Sequence, residues 1–339
     1  MTLTLATVPP ANWTAVTRDP QQLAEFAEAA RHLGYRPYYA SRGDAAALVQ
    51  IRNPVPALGI LGRAYVYPSG GDRQFVSEVV GVLARRRIPF VRVGNTMAGV
   101  GDRAELALAG RRVTIIERVT PMLDLTRDER GLLAGMEGAE RKIRKAEREG
   151  VEVTEARSLD DVKAYHALSS DTADRIRARS RFTELPFGFF AEVWRRMVPA
   201  GHARLFLARH DGRLIAGNLF LIHRDTMLYY QGASTRDRAE THRQAPAACF
   251  WTAIRAARKL GLTRFDFGGC TPTADAGDPR HGVWEFKKKW GGTLVTFYNA
   301  EVLLAPRVVA VQDRLVAPLW QRLHPLLWRL GGRQAATAA

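Results

Sequence analysis

The chain has 339 residues, of which 46% are apolar, enough material for two domains with buried cores. Its formal charge of +16 excludes an anion-repelling surface and predicts attraction to nucleic acid, anionic lipid or a phosphorylated substrate. No run of about 18 apolar residues is present, so no helical bilayer span is expected.

In chain order, the first half reads as mixed α/β. Helical spacing covers 21–33 and stops at Gly34. Strand-like runs at 46–51 and 57–67 lead into the turn Pro68-Ser69-Gly70-Gly71, and Asp72 is placed to cap a helix through Arg86. Strands are expected at 90–93 and 112–119. Thr126 is placed to cap one long polar helix through Glu149, which Gly150 closes.

The second half repeats this grammar. Helices are predicted around 159–177 and 187–198, then strands at 204–209 and 214–222 joined by Asp211-Gly212, a strong hairpin signal. A third strand is expected at 227–231. Pro246 suits the first turn of a helix that runs to Lys259 and ends at Gly261. A short buried strand at 264–267 and one or two strands within 293–304 complete the pattern. Hairpin, strand, helix, strand is the order of an acyltransferase fold of the GNAT type, so the fold class is α/β (α+β) with two tandem GNAT-like domains. Two cysteines, Cys249 and Cys270, form neither a metal spacing nor a disulfide framework, which suits a reducing compartment. The opening residues Met1 to Pro10 lack a basic n-region and a long apolar run, so no signal peptide is expected.

One tract stands out chemically. Only seven of the 50 cationic residues are Lys, and three of them sit together in Gly282-Val283-Trp284-Glu285-Phe286-Lys287-Lys288-Lys289-Trp290-Gly291-Gly292. Arg is a wide planar fork, whereas Lys is a compact point charge suited to meeting one developing negative charge. Upstream, a strand-like run ends in Asp266-Phe267-Gly268-Gly269.

These two segments, together with Tyr229-Tyr230-Gln231-Gly232-Ala233-Ser234 and the basic stretch from Arg141 to Val151, resemble the Fem-type (FemA, FemB, FemX) peptidoglycan-bridge aminoacyltransferases. The resemblance covers about 121–304 and is topological before that. It implies a first GNAT-like domain over 1–150, to which a segment at 305–332 returns, and a second over 151–304. It implies no coiled-coil arm, since no sustained heptads are present. The implied donor is an aminoacyl-tRNA. The implied acceptor is the side-chain amine of the diamino acid in a lipid-linked or UDP-linked peptidoglycan precursor, which receives Gly, Ala or Ser. No metal, nucleotide or CoA cofactor is implied, and a cytoplasmic monomer is expected.

Carried onto this chain, the family pattern makes Lys287 the cation that meets the oxyanion formed when the amine attacks the ester. A solvated lysine in a basic loop is the competing reading. Asp266 is the candidate base or amine anchor, set against a carboxylate that merely holds the next turn. Phe286, Trp284 and Trp290 are candidate rings for the tRNA terminus, with core packing expected for at least one of them. Lys288 and Lys289 read as phosphate contacts or plain surface. Tyr230 is chosen over Tyr229 to face the cleft. Arg175 and Arg179, in an alternating run, are candidates to grip the acceptor's diphosphate. In the 137–149 segment, Glu137–Arg141 and Glu140–Arg144 are expected i,i+4 pairs. Two departures concern the acceptor. The stretch before Gly34-Tyr35 offers Arg31 where the family has Lys, and Gly94-Asn95 stand where it tends to place an acid.

Three other functions stay open, one of them a related enzyme on this fold that passes amino acids to lipid or to protein N-termini. An acyl-CoA N-acetyltransferase would cradle pyrophosphate on backbone N–H groups at a helix start, but the matching Arg243-Gln244-Ala245-Pro246-Ala247-Ala248 has no glycine and loses an N–H to Pro246. A non-catalytic, basic nucleic-acid-binding protein would rest on charge alone. Finally, Arg307, Arg314, Arg322 and Arg329 share one helical side at 307–330, with apolar residues, Trp320 and Trp328 on another. Such a segment can lie on anionic lipid at the inner face of a membrane. Docking on the first domain is the alternative, and Pro318 and Pro325 oppose one continuous helix.

Overall fold

The computed structural model describes residues 3–53, 62–69, 73–94, 99–108, 110–177, 184–273, 275, 277–278 and 281–316. The first half contains β1 (Thr4–Ala6), α1 (Trp13–Val16), α2 (Ala24–Ala30), β2 (Tyr35–Arg42), β3 (Ala45–Arg52), β4 (Arg63–Pro68), α3 (Arg73–Arg85), β5 (Phe90–Val93) and β6 (Val113–Asp124). Helices α4 (Glu129–Ala134) and α5 (Ala139–Arg148) lead into the second half. There follow β7 (Glu152–Glu155), α6 (Leu159–Arg177), α7 (Phe187–Glu192), β8 (Ala203–His210), β9 (Arg213–His223), β10 (Thr226–Ser234), α8 (Arg238–Thr241) and α9 (Ala245–Lys259). The last elements are β11 (Arg264–Asp266), α10 (His281–Lys288), β12 (Thr293–Leu303) and α11 (Pro306–Val311).

All strands join one 12-stranded sheet in the order β1-β2-β3-β4-β5-β12-β6-β11-β10-β9-β8-β7. The order is nearly palindromic. In each half an antiparallel run ends in a parallel pair spanned by a helix: β4 and β5 around α3, β10 and β11 around α9. The halves exchange strands at the centre. β12 comes from the second half yet pairs with β5, and β6 comes from the first half yet pairs with β11. β6 and β12 pair with each other from Thr293 opposite Met122 to Val302 opposite Val113.

Local chemistry explains the connections. The β8–β9 turn has Asp211 at φ 49° and Gly212 at φ 75°, the left-handed pair that a two-residue hairpin demands. The helical spacing at 21–33 resolves into a 3₁₀ turn Pro20–Gln22, α2, and a second 3₁₀ turn Arg31–Leu33 that stops at Gly34. The long helix predicted from Thr126 is instead two. Asp128, not Thr126, caps the first by accepting from Gly131 N at 2.7 Å, while the Thr126 hydroxyl donates to Asp124 at 2.7 Å. Gly138, at φ 71°, separates α4 from α5. Glu137 therefore lies off the helix. Among the described residues only Glu140–Arg144 forms of the two predicted pairs. The predicted cap Asp72 and the strand residues 57–61 lie outside the described residues. The 187–198 helix closes with a π turn, Val193–Met197, and 293–304 is a single strand.

One core lies on the α9 face, where Phe250, Phe265, Phe267 and Trp290 pack with Leu123 of β6. A second fills the first half between β3, β4, β5 and α3. A third welds the halves. Phe26 of α2 meets Phe189 of α7 at 5.8 Å and Tyr230 of β10 at 5.6 Å between ring centres. After β12 the chain returns to the first half, where Arg63 of β4 pairs with Asp313 and donates to Gln312. Among the described residues no helix is long and apolar enough to cross a membrane.

The turn that links α10 to β12 is a tight place near the sheet centre. A Cβ on Gly291, at φ 74°, would sit 2.4 Å from the Gly135 carbonyl oxygen, whereas Gly261, also at φ 74°, has nothing within 4 Å. Gly261→Ala is expected to cost about 1 kcal/mol from backbone strain alone, and Gly291→Ala about 2 kcal/mol or more from strain plus collision. Urea denaturation of the two variants checks this. Equal losses would mean that the Gly135 contact does not constrain the turn.

Candidate functional site

The three-lysine tract forms the helix α10 and the turn after it, and this sets the place of its lysines. Phe286 and Trp290, at i,i+4, face the α9 core, and Lys287 turns inward beside them. Lys287 is only 6% exposed. Its ammonium donates to Gly268 O at 2.7 Å and more weakly to Gly269 O at 3.4 Å. It also lies 5.9 Å from the centre of the Tyr229 ring. The last turn of a helix, where carbonyl dipoles point out, is a favourable seat for a cation. Burial nevertheless dominates and pushes the Lys287 pKa down to about 8. The neighbouring Cys270 and Asp266 oppose that shift, and Arg118 adds to it.

The carbonyls that hold the ammonium are set by Asp266. Its Oδ1 accepts from Gly268 N at 2.7 Å and from the hydroxyl of Thr120 on the neighbouring strand β6. Gly268 is at φ 76°, a conformation that L side chains rarely adopt. Burial raises the Asp266 pKa, while the bonds from Thr120 and Gly268 and the charge of Lys287 pull it back. Asp19, which caps the 3₁₀ turn before α2, is raised to about 7, first by burial and further by the charge of Asp266. The charge of Asp266 is thus felt by a carboxyl from the other half of the chain.

The other sequence candidates separate. Tyr230 lies on the opposite face of β10 from Lys287, against Phe26 and Phe189, whereas its neighbour Tyr229 packs on Phe250 beside the ammonium. Trp290 is 2% exposed and stacks on Phe267 at 5.6 Å, so it is a core ring and offers no free face to a base. Phe286 is half-buried against Phe250. Trp284 is half-buried beneath the ammonium of Lys288, which also pairs with Glu285 at 3.0 Å. Lys289 is half-buried, and its charge depresses Lys142 of α5 after the larger effect of burial. Lys289 is thus close enough to α5 to act on Lys142, and on α5 Arg141, Arg144 and Arg148 line, with Glu140, a surface depression of about 270 Å³. Arg175 falls in the last turn of α6, and Arg179 lies outside the described residues. The residues around Gly34, singled out for the missing Lys, line a cleft of about 440 Å³ with Arg31, Tyr35, Arg36, Tyr38, Ile51 and Asn53.

Sequence reasoning missed Thr120, Tyr229 and Asp19. Thr120 stands 146 residues from its partner, so no local spacing announces it. The start of α9 meets the expectation drawn from its sequence. Ala247 N and Ala248 N turn back to Gln244 O at 2.9 and 3.4 Å, Pro246 has no N–H, and Arg243 is held by Glu149 and Glu240. Few N–H groups are left there for a pyrophosphate. Among the described residues no group of His, Cys, Asp and Glu is arranged to hold a metal ion.

With this geometry in place, comparison with known proteins is informative. An acetyltransferase (GNAT) domain family matches residues 136–288. Lipid II:glycine glycyltransferase of Staphylococcus aureus is 32% identical over 84 residues, which span 24% of this chain and 19% of the relative. The crystal structure of FemX superposes with a TM-score of 0.71 at 16% identity, covering 91% of this chain and 100% of that one. The chain resembles the Fem-type aminoacyltransferases in both sequence and fold. The C-terminal domain of a putative lysylphosphatidylglycerol synthetase from Agrobacterium fabrum shares the fold at a TM-score of 0.59 and 15% identity, over 89% of this chain and 94% of that one. The sequence match spans about a fifth of the curated relatives, and it lies in a chain whose second half carries the acyltransferase fold.

Holding Lys287 inside costs stability. A shift from 10.5 to about 8 corresponds to about 3 kcal/mol of disfavoured charge. The unfolded chain binds the proton more tightly, so this cost is present in full below pH 8. It is relieved as pH rises from 8 towards 10.5, and stability climbs over that window. Lys287→Met is therefore expected to be at least as stable as the parent at pH 7, with its advantage shrinking above pH 8. Denaturation midpoints across that range check the expectation. A variant clearly weaker at pH 7 would mean that the ammonium contributes net stability.

Proposed function

We propose that the protein is an aminoacyl-tRNA-dependent aminoacyltransferase. It adds Gly, Ala or Ser to the side-chain amine of the diamino acid in a peptidoglycan precursor. The observation that carries this reading is the buried Lys287 ammonium, held by two backbone carbonyls with, among the described residues, one N–H left over. The acceptor amine, once it has given up its proton, attacks the ester carbonyl that joins the amino acid to the tRNA ribose. The carbonyl oxygen becomes an oxyanion, and the free Lys287 N–H meets it. Collapse forms the amide and releases the ribose hydroxyl. A preset donor in a dry site costs no reorganisation as the charge develops.

The surroundings supply the rest. Lys289, Lys142 and the α5 arginines form a phosphate-binding surface for the tRNA acceptor end. Trp284 and Phe286 lie beside it. The cleft at Gly34, with Arg31 and Arg36, receives the precursor's diphosphate in place of the family's lysine. Two tandem GNAT-like domains, 1–150 with a returning segment at 305–332, of which 317–332 lie outside the described residues, and 151–304, without a coiled-coil arm, are the reading that the near-palindromic sheet supports. The transfer takes place on the cytoplasmic side, at the membrane face when the precursor is lipid-linked. The pyrophosphate-poor start of α9 disfavours acetyl-CoA as donor.

Incubation with charged tRNA pools and precursors bearing Lys, ornithine or diaminopimelate tests this directly, with mass spectrometry reading the added residue. Ribonuclease treatment of the donor is expected to abolish transfer. Turnover that survives it, or turnover with acetyl-CoA, would overturn the reading. Binding of tRNA is expected to weaken steeply between low and physiological salt because phosphate contacts release counterions. A flat salt response would remove the basic surface from the tRNA footprint.

A further inference from the structure

The lysine's seat in the second half is fixed by a residue of the first. Thr120 sits in the middle of β6, the strand that crosses from the first half to pair with β11, and it is 4% exposed. Its hydroxyl donates to Asp266 Oδ1, the same oxygen that accepts from Gly268 N at 2.7 Å. Gly268 then accepts from Lys287 through its carbonyl, at 2.7 Å. Every step is a hydrogen bond between groups with little solvent around them, where such bonds polarise one another and an unmade one is costly. Gly268 is the hinge. Its N–H, in the peptide from Phe267, faces the carboxylate, and its carbonyl, in the peptide to Gly269, faces the ammonium, so the two bonds meet across the φ and ψ of one residue. A glycine at φ 76° is free to adopt other conformations as well, so these bonds select this one.

We propose that Thr120 is a positioning residue for Lys287, acting through Asp266 and Gly268. The relay couples the catalytic lysine of one half to the strand lent by the other. Separation or shear of the two halves along β6 would release Asp266, let the Gly268 carbonyl turn and misplace the ammonium. In this role Asp266 acts on the geometry of the cation rather than on the proton of the attacking amine. Consequences for the reaction rest on the function proposed above. The relay itself does not.

The charged and titratable groups facing Lys287 are Cys270, Asp266 and Arg118, with the Tyr229 ring alongside. Because the chain has only seven lysines, labelling with [ε-¹³C]lysine gives few resonances, and Lys287 is assigned by its disappearance in Lys287→Met. Three proteins are compared: parent, Thr120→Val, which removes the hydroxyl at nearly constant shape, and Thr120→Ser, which keeps it. In Thr120→Val the Lys287 titration midpoint is expected to fall below the parent's. The ammonium loses an aligned carbonyl, and a less stabilised Asp266 carboxylate gives it less support. In Thr120→Ser the midpoint is expected to stay at the parent value. A midpoint unmoved in Thr120→Val, or moved equally in Thr120→Ser, overturns the proposal.

If Thr120→Val does not fold, the parent alone decides. Titration of Asp266 is expected to shift the Gly268 amide and the Lys287 ε-carbon resonances together, and independent movement overturns the relay. Single-turnover transfer, read in parallel, is expected to slow about tenfold in Thr120→Val and to recover in Thr120→Ser. An altered midpoint with unaltered transfer would leave the relay standing and contradict the role given to Lys287 in the reaction.

Discussion

The pairing of β6 with β12 is the constraint on which the rest of the site depends. These strands come from distant parts of the chain, Val113–Asp124 and Thr293–Leu303, and lie side by side at the centre of the sheet. β6 carries Thr120 to Asp266 and lines up Met122 with it across the β11 pairing. β12 begins directly after the Gly291-Gly292 turn, so its register against β6 fixes where α10 ends and where Lys287 enters the core. The fit is close: a Cβ on Gly292 would lie 2.5 Å from the Met122 carbonyl oxygen. A one-residue slip of β12 against β6 would turn each β12 side chain to the other face and would move the end of α10 that carries Lys287.

Within that frame the chemistry is a problem of burying one charge. Lys288 stays exposed and shares Glu285, so its ammonium is solvated and partly neutralised. Lys287, one position earlier, turns inward and loses most of its water. What replaces the water is two carbonyls at a glycine pair, an aromatic face, and a carboxylate one peptide away. These partners keep the ammonium mostly protonated near neutral pH while leaving it poorly satisfied. That is the condition in which a developing oxyanion is attractive to it. Arginine, favoured elsewhere in this chain, is broader, and its fork requires several acceptors in a plane.

Much of this was legible in the sequence where the signals are local. The β8–β9 hairpin follows from Asp211-Gly212, and the start of α9 from Pro246. The uneven use of Lys pointed to the segment that holds Lys287. Where the reading failed, two local preferences competed or a distant partner decided. Thr126 and Asp128 are both able to cap, and the one spaced to reach Gly131 N won. Tyr229 and Tyr230 alternate faces by strand geometry, but which face holds Lys287 depends on α10, which follows β10 by nearly fifty residues. Of the three candidate stacking rings, at least one of which was expected in the core, Trp290 is the core ring because the turn after α10 folds it onto Phe250 and Phe267. Thr120 and Asp19 were invisible because their partner Asp266 belongs to the other half of the chain.

The most direct test of the central role of the buried ammonium is a single-turnover comparison of Lys287→Met and Lys289→Met with aminoacyl-tRNA held at saturation. If Lys287 meets the oxyanion, its loss lowers the rate of the chemical step by about a hundredfold or more, the scale for removing one oxyanion donor. Loss of Lys289 then changes the donor concentration needed for saturation and leaves the saturated rate nearly intact. Equal, small effects at both positions would contradict that role and reduce the three-lysine tract to a basic surface.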